Sequence, residues 1–122
     1  MSILKIRRRV KNVALKYTNA QVKVREATSN DPSWYPPTAL MSEIADMTHA
    51  LIQFNEIMPV IWKRLNDHGK NWRHVYKSMI LLDYLIKCGS ERVVKQCKEE
   101  ISSFELLKVL YFVIVDANAL LR

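Results

Sequence analysis

Only two glycines, Gly69 and Gly89, occur in 122 residues, and each follows an amphipathic run at the place where a helix C-cap takes one. That spacing reads as all-α. Thr18 opens a Thr-x-x-Gln capping box with Gln21, so a helix is expected over 19–27. Residues 28–38 gather Pro32, Pro36 and Pro37 among turn formers, a connection whose Trp34 and Tyr35 should fold back on the domain. Thr38 or Ser42 can cap a helix running to about residue 52, with Leu40, Ile44, Met47 and Leu51 on one stripe. A further helix begins at Asn55 or Met58 and reaches Asn66, where Pro59 fits the first turn. The greasiest helix, 72–87, should be central, with Trp72, Val75, Met79, Leu82 and Ile86 on its main apolar stripe. Ser90 caps a helix to about residue 101, and Ser103 can cap a last one. With an N-terminal helix over 1–17, the pattern is one all-α domain spanning 1–122, a superhelical, α-solenoid-like bundle of about seven helices in pairs.

The N-terminal helix is the segment richest in functional signal. Ile3, Ile6, Val10, Val13, Ala14 and Tyr17 fall on one side of its wheel, and Lys5, Arg8, Arg9, Asn12 and Lys16 on the other, with Arg7 and Lys11 at the border. A first helix packed on a core and a basic amphipathic helix lying in a membrane interface share this pattern, and periodicity leaves both open. Six basic side chains between Lys5 and Lys16 repel one another in water, which favours a helix that forms conditionally at an anionic surface.

Nineteen Lys and Arg against twelve Asp and Glu give a net charge of +7, so the expected partners are polyanions: anionic lipid, nucleic acid or an acidic protein surface. Cys88 and Cys97 make neither a C-x-x-C pair nor a disulfide framework, which fits a reducing cytosol. The N-terminus is too charged for a secretory signal, and no apolar stretch approaches the ~20 residues of a spanning helix. Ser2 and the C-terminal sequence LLR fit no lipidation motif, so membrane contact would fall to side chains.

No catalytic or metal site is expected. His49, His68 and His74 lack metal-binding spacing, and two glycines cannot build a phosphate-cradling loop. Asp67-His68 looks like half a dyad but sits where a cap or surface histidine is common. What remains is a basic cluster in two parts: Lys63, Arg64, Lys70, Arg73, His74 and Lys77 at one corner, and Arg8, Lys11, Lys23 and Arg25 toward the N-terminus. If the two parts meet, they suit a multiply phosphorylated headgroup; otherwise they are a solvated basic surface.

Four stretches carry a specific resemblance: VREATSNDP at 24–32, LMSEIAD at 40–46, IWKRLNDHGKNWRHVYK at 61–77 and YLIKCGSERV at 84–93. They closely resemble the epsin N-terminal homology domain family, over residues 6–108. The resemblance implies an α-helical superhelix that binds phosphatidylinositol 4,5-bisphosphate, needs no other cofactor, and promotes curvature in clathrin-mediated endocytosis, on the cytoplasmic face of the plasma membrane. The family's headgroup ligands match Arg8, Lys11, Arg25, Asn30, Arg64, Lys70 and His74, and its membrane-inserted apolar positions match Ile6, Val10 and Val13. These three are smaller and stiffer than the Leu and Met often found there, so a shallower insertion is expected. Coat proteins would be engaged through regions this sequence does not carry.

After Lys108 the chain departs from the family pattern, reading VLYFVIVDANALLR where relatives carry an acidic, glycine-containing loop and a further helix pair. The segment 109–122 is therefore expected to be divergent, and its apolar run 109–115 to lower stability or to act as a seam for self-association. The competing functional reading is a helical protein-interaction scaffold whose affinity for anionic surfaces is incidental.

Overall fold

The computed structural model describes residues 2–33 and 35–100. Among them are six α-helices and no strand: α1 (Ile3–Ala14), α2 (Asn19–Ala27), α3 (Thr38–Met47), α4 (Leu51–Leu65), α5 (Trp72–Cys88) and α6 (Glu91–Glu100), with a 3-10 turn at Gly69–Asn71 before α5. The all-α fold is as expected. Of the seven expected helices, the one from Ser103 lies outside the described residues, as do the segment 109–122 and the placement of Trp34.

Local chemistry sets most helix ends. Thr18 Oγ1 accepts from the Gln21 N–H at 3.2 Å and Gln21 Oε1 from the Thr18 N–H at 3.1 Å, the reciprocal box that starts α2. Ser90 Oγ accepts from the Arg92 N–H at 3.2 Å at the start of α6. Ser2 caps α1 in the same way through the Lys5 N–H, a signal the sequence carried but the motif reading passed over.

Three expectations need correction. The first concerns α3, which ends at Met47 rather than near residue 52, with Pro37 at its N-cap and no side-chain cap. Thr48 stops it: its hydroxyl donates to the Ala45 carbonyl at 2.5 Å and accepts the Ser90 N–H at 2.9 Å, tying the end of α3 to the start of α6. Leu51 thus leaves the α3 stripe, opens α4 and is exposed.

The second concerns Pro59, which sits inside α4 and not in its first turn. It is tolerated because Pro59 and Asn55, whose carbonyl loses its i+4 donor, are both exposed, where water can take the bond. The third concerns α5, whose buried stripe is Lys77, Ser78, Leu81, Leu82 and Leu85, while Trp72 remains 47% exposed.

The core runs along α4 and α5. Ile57, Met58 and Ile61 of α4 and Leu81, Leu82 and Leu85 of α5 are fully buried. Ala20 and Val24 of α2, Ile44 and Ala45 of α3, and Val93 and Cys97 of α6 close around them. α5 is the central helix as expected, touching α2, α3, α4 and α6. Each fully buried Leu or Ile contributes about 1.5–3 kcal/mol of transfer free energy, so this pair of helices is the rigid body on which the rest is mounted. Burial pushes the Cys97 thiol up to about 12, which keeps it a protonated, inert core side chain.

α1 is different. It buries none of its residues, and Ile3, Ile6, Val10 and Val13 are 49–79% exposed. Its apolar stripe therefore faces away from the body, which removes the reading of a first helix packed on a core. No helix among the described residues is long and apolar enough to cross a membrane.

Candidate functional site

Three helix ends and one face of α1 converge on a basic hollow. Arg25 stands in the last turn of α2, and Lys63 and Arg64 in the last turn of α4, where exposed carbonyls favour cations. His74 stands in the first turn of α5, and Arg8 and Lys11 come from α1 laid across the opening. Two adjoining cavities result. The larger, about 280 Å³, is lined by Lys11, Tyr17, Arg25, Lys63, Arg64 and His74, among others. The smaller, about 160 Å³, shares Lys11, Arg25, Arg64 and His74 and adds Arg7, Arg8 and Asn30.

The hollow is held together by polar contacts between elements. Arg25 Nε donates to Asn12 Oδ1 at 2.7 Å and its guanidinium lies 4.4 Å from the Tyr17 ring centroid, so one side chain of α2 fixes both ends of the last turns of the α1 segment. Arg8 pairs with Asp31 at 3.2 Å. Lys77 Nζ donates to the Asp31 carbonyl at 2.8 Å and to Ser33 Oγ at 3.3 Å, pinning the connection after α2 beneath α1. Arg64 donates to the Thr28 carbonyl at 3.0 Å. Asn30 Nδ2 donates to Asn71 Oδ1 at 3.0 Å, and buried Asn30 Oδ1 has no partner among the described residues.

Positive charge is concentrated here against its own preference. Burial, joined by repulsion from Arg25, lowers the Arg64 pKa to about 10, and burial lowers that of Arg25 as well. At His74 burial outweighs the hydrogen bond it donates to Asp67 and, with repulsion from Arg64 and Arg25, keeps the pKa below the usual histidine value. A bound polyanion would relieve all three at once, since an opposite charge favours each ionised form.

Six of the seven expected headgroup residues, Arg8, Lys11, Arg25, Asn30, Arg64 and His74, line these cavities. Lys70 does not: it is exposed on the 3-10 turn. Within the wider basic cluster, Lys23 pairs with Glu43, the Arg73 guanidinium lies 4.6 Å from the Trp72 ring centroid, and Lys77 is buried beneath the connection. These three are structural or belong to other surfaces. His68 is exposed, as expected of a surface histidine, and Asp67 binds His74 instead.

Sequence reading missed Asn12, Tyr17, Asp31 and Asn71 as supports of the site. Tyr17 had been grouped with the apolar face of α1, and nothing in its spacing reveals that the turn after Ala14 swings it over Arg25. Lys16, with a φ of +53°, makes that turn. Tyr35 meets Tyr76 edge-on at 6.5 Å yet remains 63% exposed, so it folds back only in part. No cluster of metal-ligating side chains occurs among the described residues.

Comparison with known proteins places these features in context. The ENTH domain family matches residues 17–119. Human Epsin-1 is 59% identical over 118 residues, covering 97% of this chain and 20% of its own length, so the chain spans about a fifth of the curated relatives it matches. Among solved structures, the ENTH domain from epsin-2 in complex with phosphatidylinositol 4,5-bisphosphate superposes with a TM-score of 0.71 at 43% identity, covering 76% of this chain and 65% of that one. A helical assembly of ANTH and ENTH tubules on PI(4,5)P2-containing membranes superposes with a TM-score of 0.69 at 41% identity, covering 80% of this chain and 63% of that one.

Proposed function

The chain belongs to the ENTH domain family, and from that membership we propose that it is a phosphoinositide-binding membrane module that captures a bisphosphorylated inositol headgroup and inserts α1 to promote curvature. The observation that carries the reading is the convergence of Arg8, Lys11, Arg25, Arg64 and His74 on one hollow directly beneath a helix whose apolar stripe is uncovered. Two functions that would conflict elsewhere are compatible here. The polar face of α1 closes over the phosphates while Ile6, Val10 and Val13 point outward to the acyl chains.

The mechanism makes and breaks no covalent bond. Arg25 and Arg64 act as planar forks for phosphate oxygens, Lys11 and Arg8 as charges carried in by α1, and His74 as a hydrogen-bond donor when protonated. Asn30, whose amide oxygen has no partner among the described residues, can accept from an inositol hydroxyl. Each Lys or Arg near an anionic leaflet gains roughly 1 kcal/mol, which brings the module to the surface before the headgroup is seated. The setting this implies is the cytoplasmic face of the plasma membrane at sites of clathrin-mediated endocytosis, with adaptor partners recruited there.

Vesicle co-sedimentation tests the reading. Binding should require the bisphosphate lipid and collapse in Arg25→Ala and Arg64→Ala. Binding indifferent to both the lipid and these substitutions would refute it.

A further inference from the structure

A separate cavity lies on the opposite flank of α1. It measures about 170 Å³ and is lined by Lys5, Arg8, Arg9 and Asn12 of α1 and by Val22 and Glu26 of α2. At 100° per residue, Arg8 directs α1 toward the body, Leu4, Arg7 and Lys11 fall on the flank of the headgroup hollow, and Lys5, Arg9 and Asn12 fall on the other flank. The stripe of Ile3, Ile6, Val10 and Val13 points away from the body between them. A membrane that receives this stripe therefore has both cavities at headgroup level, one on each side of the inserted helix, with Arg8 common to both.

The charge on the walls is specific. Lys5, Arg8 and Arg9 stand on the α1 wall and one carboxylate, Glu26, on the α2 wall; Arg8 is paired with Asp31, whereas the side chains of Lys5, Arg9 and Glu26 enter no ion pair with any described residue. Opposite charges line the same gap without closing it. A plain phosphate would satisfy the cations but set an anion beside Glu26. A choline or ethanolamine headgroup would satisfy Glu26 but offers a single negative group to the two unpaired cations, Lys5 and Arg9. A serine headgroup carries a phosphodiester and a carboxylate for Lys5 and Arg9 and an ammonium for Glu26.

We infer that the cavity between α1 and α2 is a second headgroup site, which takes the glycerophosphoserine group of an anionic bilayer lipid next to the bisphosphorylated inositol in the first. The inference rests on the proposed membrane seating of α1. It gives the abundant anionic lipid a role beyond bulk charge: occupation of this flank braces α1 against α2 at Glu26, while the first site braces it through Arg25.

The test uses vesicles of fixed bisphosphate-lipid content in which the remaining anionic lipid is either phosphatidylserine or phosphatidylglycerol at equal charge. The expected result is binding to the serine vesicles roughly two- to fivefold tighter, the scale of a solvent-exposed ion pair. Glu26→Gln should erase that preference while tightening binding to glycerol vesicles, because it removes a negative charge from the membrane face. Equal binding of the native chain to both vesicles, or equal tightening on both by Glu26→Gln, would overturn the inference.

Soluble glycerophosphoserine supplies the second arm. It should shift the backbone amide resonances of Lys5, Arg9 and Glu26, and should do so whether or not binding depends on the bisphosphate lipid. Failure of bisphosphate dependence alone thus strikes the first site, and absence of these shifts strikes the second. Shifts with the soluble headgroup but no preference between vesicles would overturn the assignment to a bilayer lipid.

Discussion

Nδ1 of His74 donates to Oδ2 of Asp67 at 2.8 Å, which fixes the proton on Nδ1 and leaves Nε2 as the ring nitrogen open to a ligand. The neutral ring offers a phosphate only a lone pair. Burial and the Arg64 and Arg25 charges lower the pKa in the free protein, and a bound phosphate favours the imidazolium, so binding takes up a proton. The His74 contribution to affinity for the soluble bisphosphate headgroup should therefore rise as pH falls from about 7.5 to 5.5, levelling off below the lowered free value, by up to about tenfold per unit of difference between bound and free pKa. Calorimetric titration across this range should show the native-to-variant affinity ratio growing as pH falls, with His74→Gln reporting the titration of the headgroup phosphates alone. An equally steep profile in the variant would exclude His74 as the group responsible.

The same pair acts oppositely on the stability of the free fold. His74 and Asp67 both have folded pKa values below their ordinary ones, the second chiefly through its hydrogen bond with His74. The stability each contributes is present at higher pH and lost as pH falls through its folded value. Denaturant midpoints should accordingly fall on acidification from neutrality in the absence of ligand and fall less in its presence.

Arg64 is buried, close to Arg25, and among the described residues is hydrogen-bonded only to the Thr28 carbonyl, at 3.0 Å. Replacing it by Met, similar in length and apolar, removes one hydrogen bond but also a desolvated charge and a repulsion. Stability in Arg64→Met should stay within about 1 kcal/mol of the native chain. Headgroup affinity should fall by about 1.5–3 kcal/mol, the worth of a hydrogen bond to a charged group. Chemical denaturation and calorimetry measure the two separately, and a variant that loses stability but not affinity would make Arg64 a structural residue.

Much of this was legible in the chain because it is written locally. The capping box at Thr18, the N-cap at Ser90 and the 3.6-residue apolar period place helix starts and faces without any knowledge of the fold. The cations of the site were legible through resemblance, as residue types at matching positions. Their supports were not. Asp31 meets Arg8 across 23 residues, and Asn30 meets Asn71 across 41, and such contacts leave no periodic trace. Thr48 shows the same limit within the fold, since its clamp on Ser90 decides where α3 ends from 42 residues away.

Val10 is 63% exposed on the outward stripe of α1 and touches neither headgroup cavity. Val10→Gln should leave binding of the soluble headgroup unchanged. On vesicles it should weaken binding by roughly 1.5–3 kcal/mol, the transfer free energy of a valine side chain, and reduce tubulation. Negative-stain imaging of vesicle tubules at matched bound protein separates insertion from recruitment. Undiminished tubulation would show that Val10 does not enter the bilayer.

The two glycines are required for different reasons, and substitution separates them. Gly69 has a φ of +62° with nothing within 4 Å of an added Cβ, so Gly69→Ala meets only the backbone penalty of the left-handed region, about 1–2 kcal/mol. Gly89 has an ordinary extended backbone, with a φ of −92°. Its added Cβ would stand 2.7 Å from the Leu85 carbonyl oxygen and 2.9 Å from Thr48 Oγ1. Neither can yield cheaply. The first accepts the Gly89 N–H at 2.8 Å at the end of α5, and the second is the clamp that accepts the Ser90 N–H. Gly89→Ala should therefore cost about 1–3 kcal/mol through overpacking and also loosen the junction of α3 with α6. Hydrogen exchange should then show faster exchange of the Ser90 amide in Gly89→Ala and not in Gly69→Ala. Equal protection of that amide in the two variants would mean that Thr48, and not Gly89, sets the closeness of the joint.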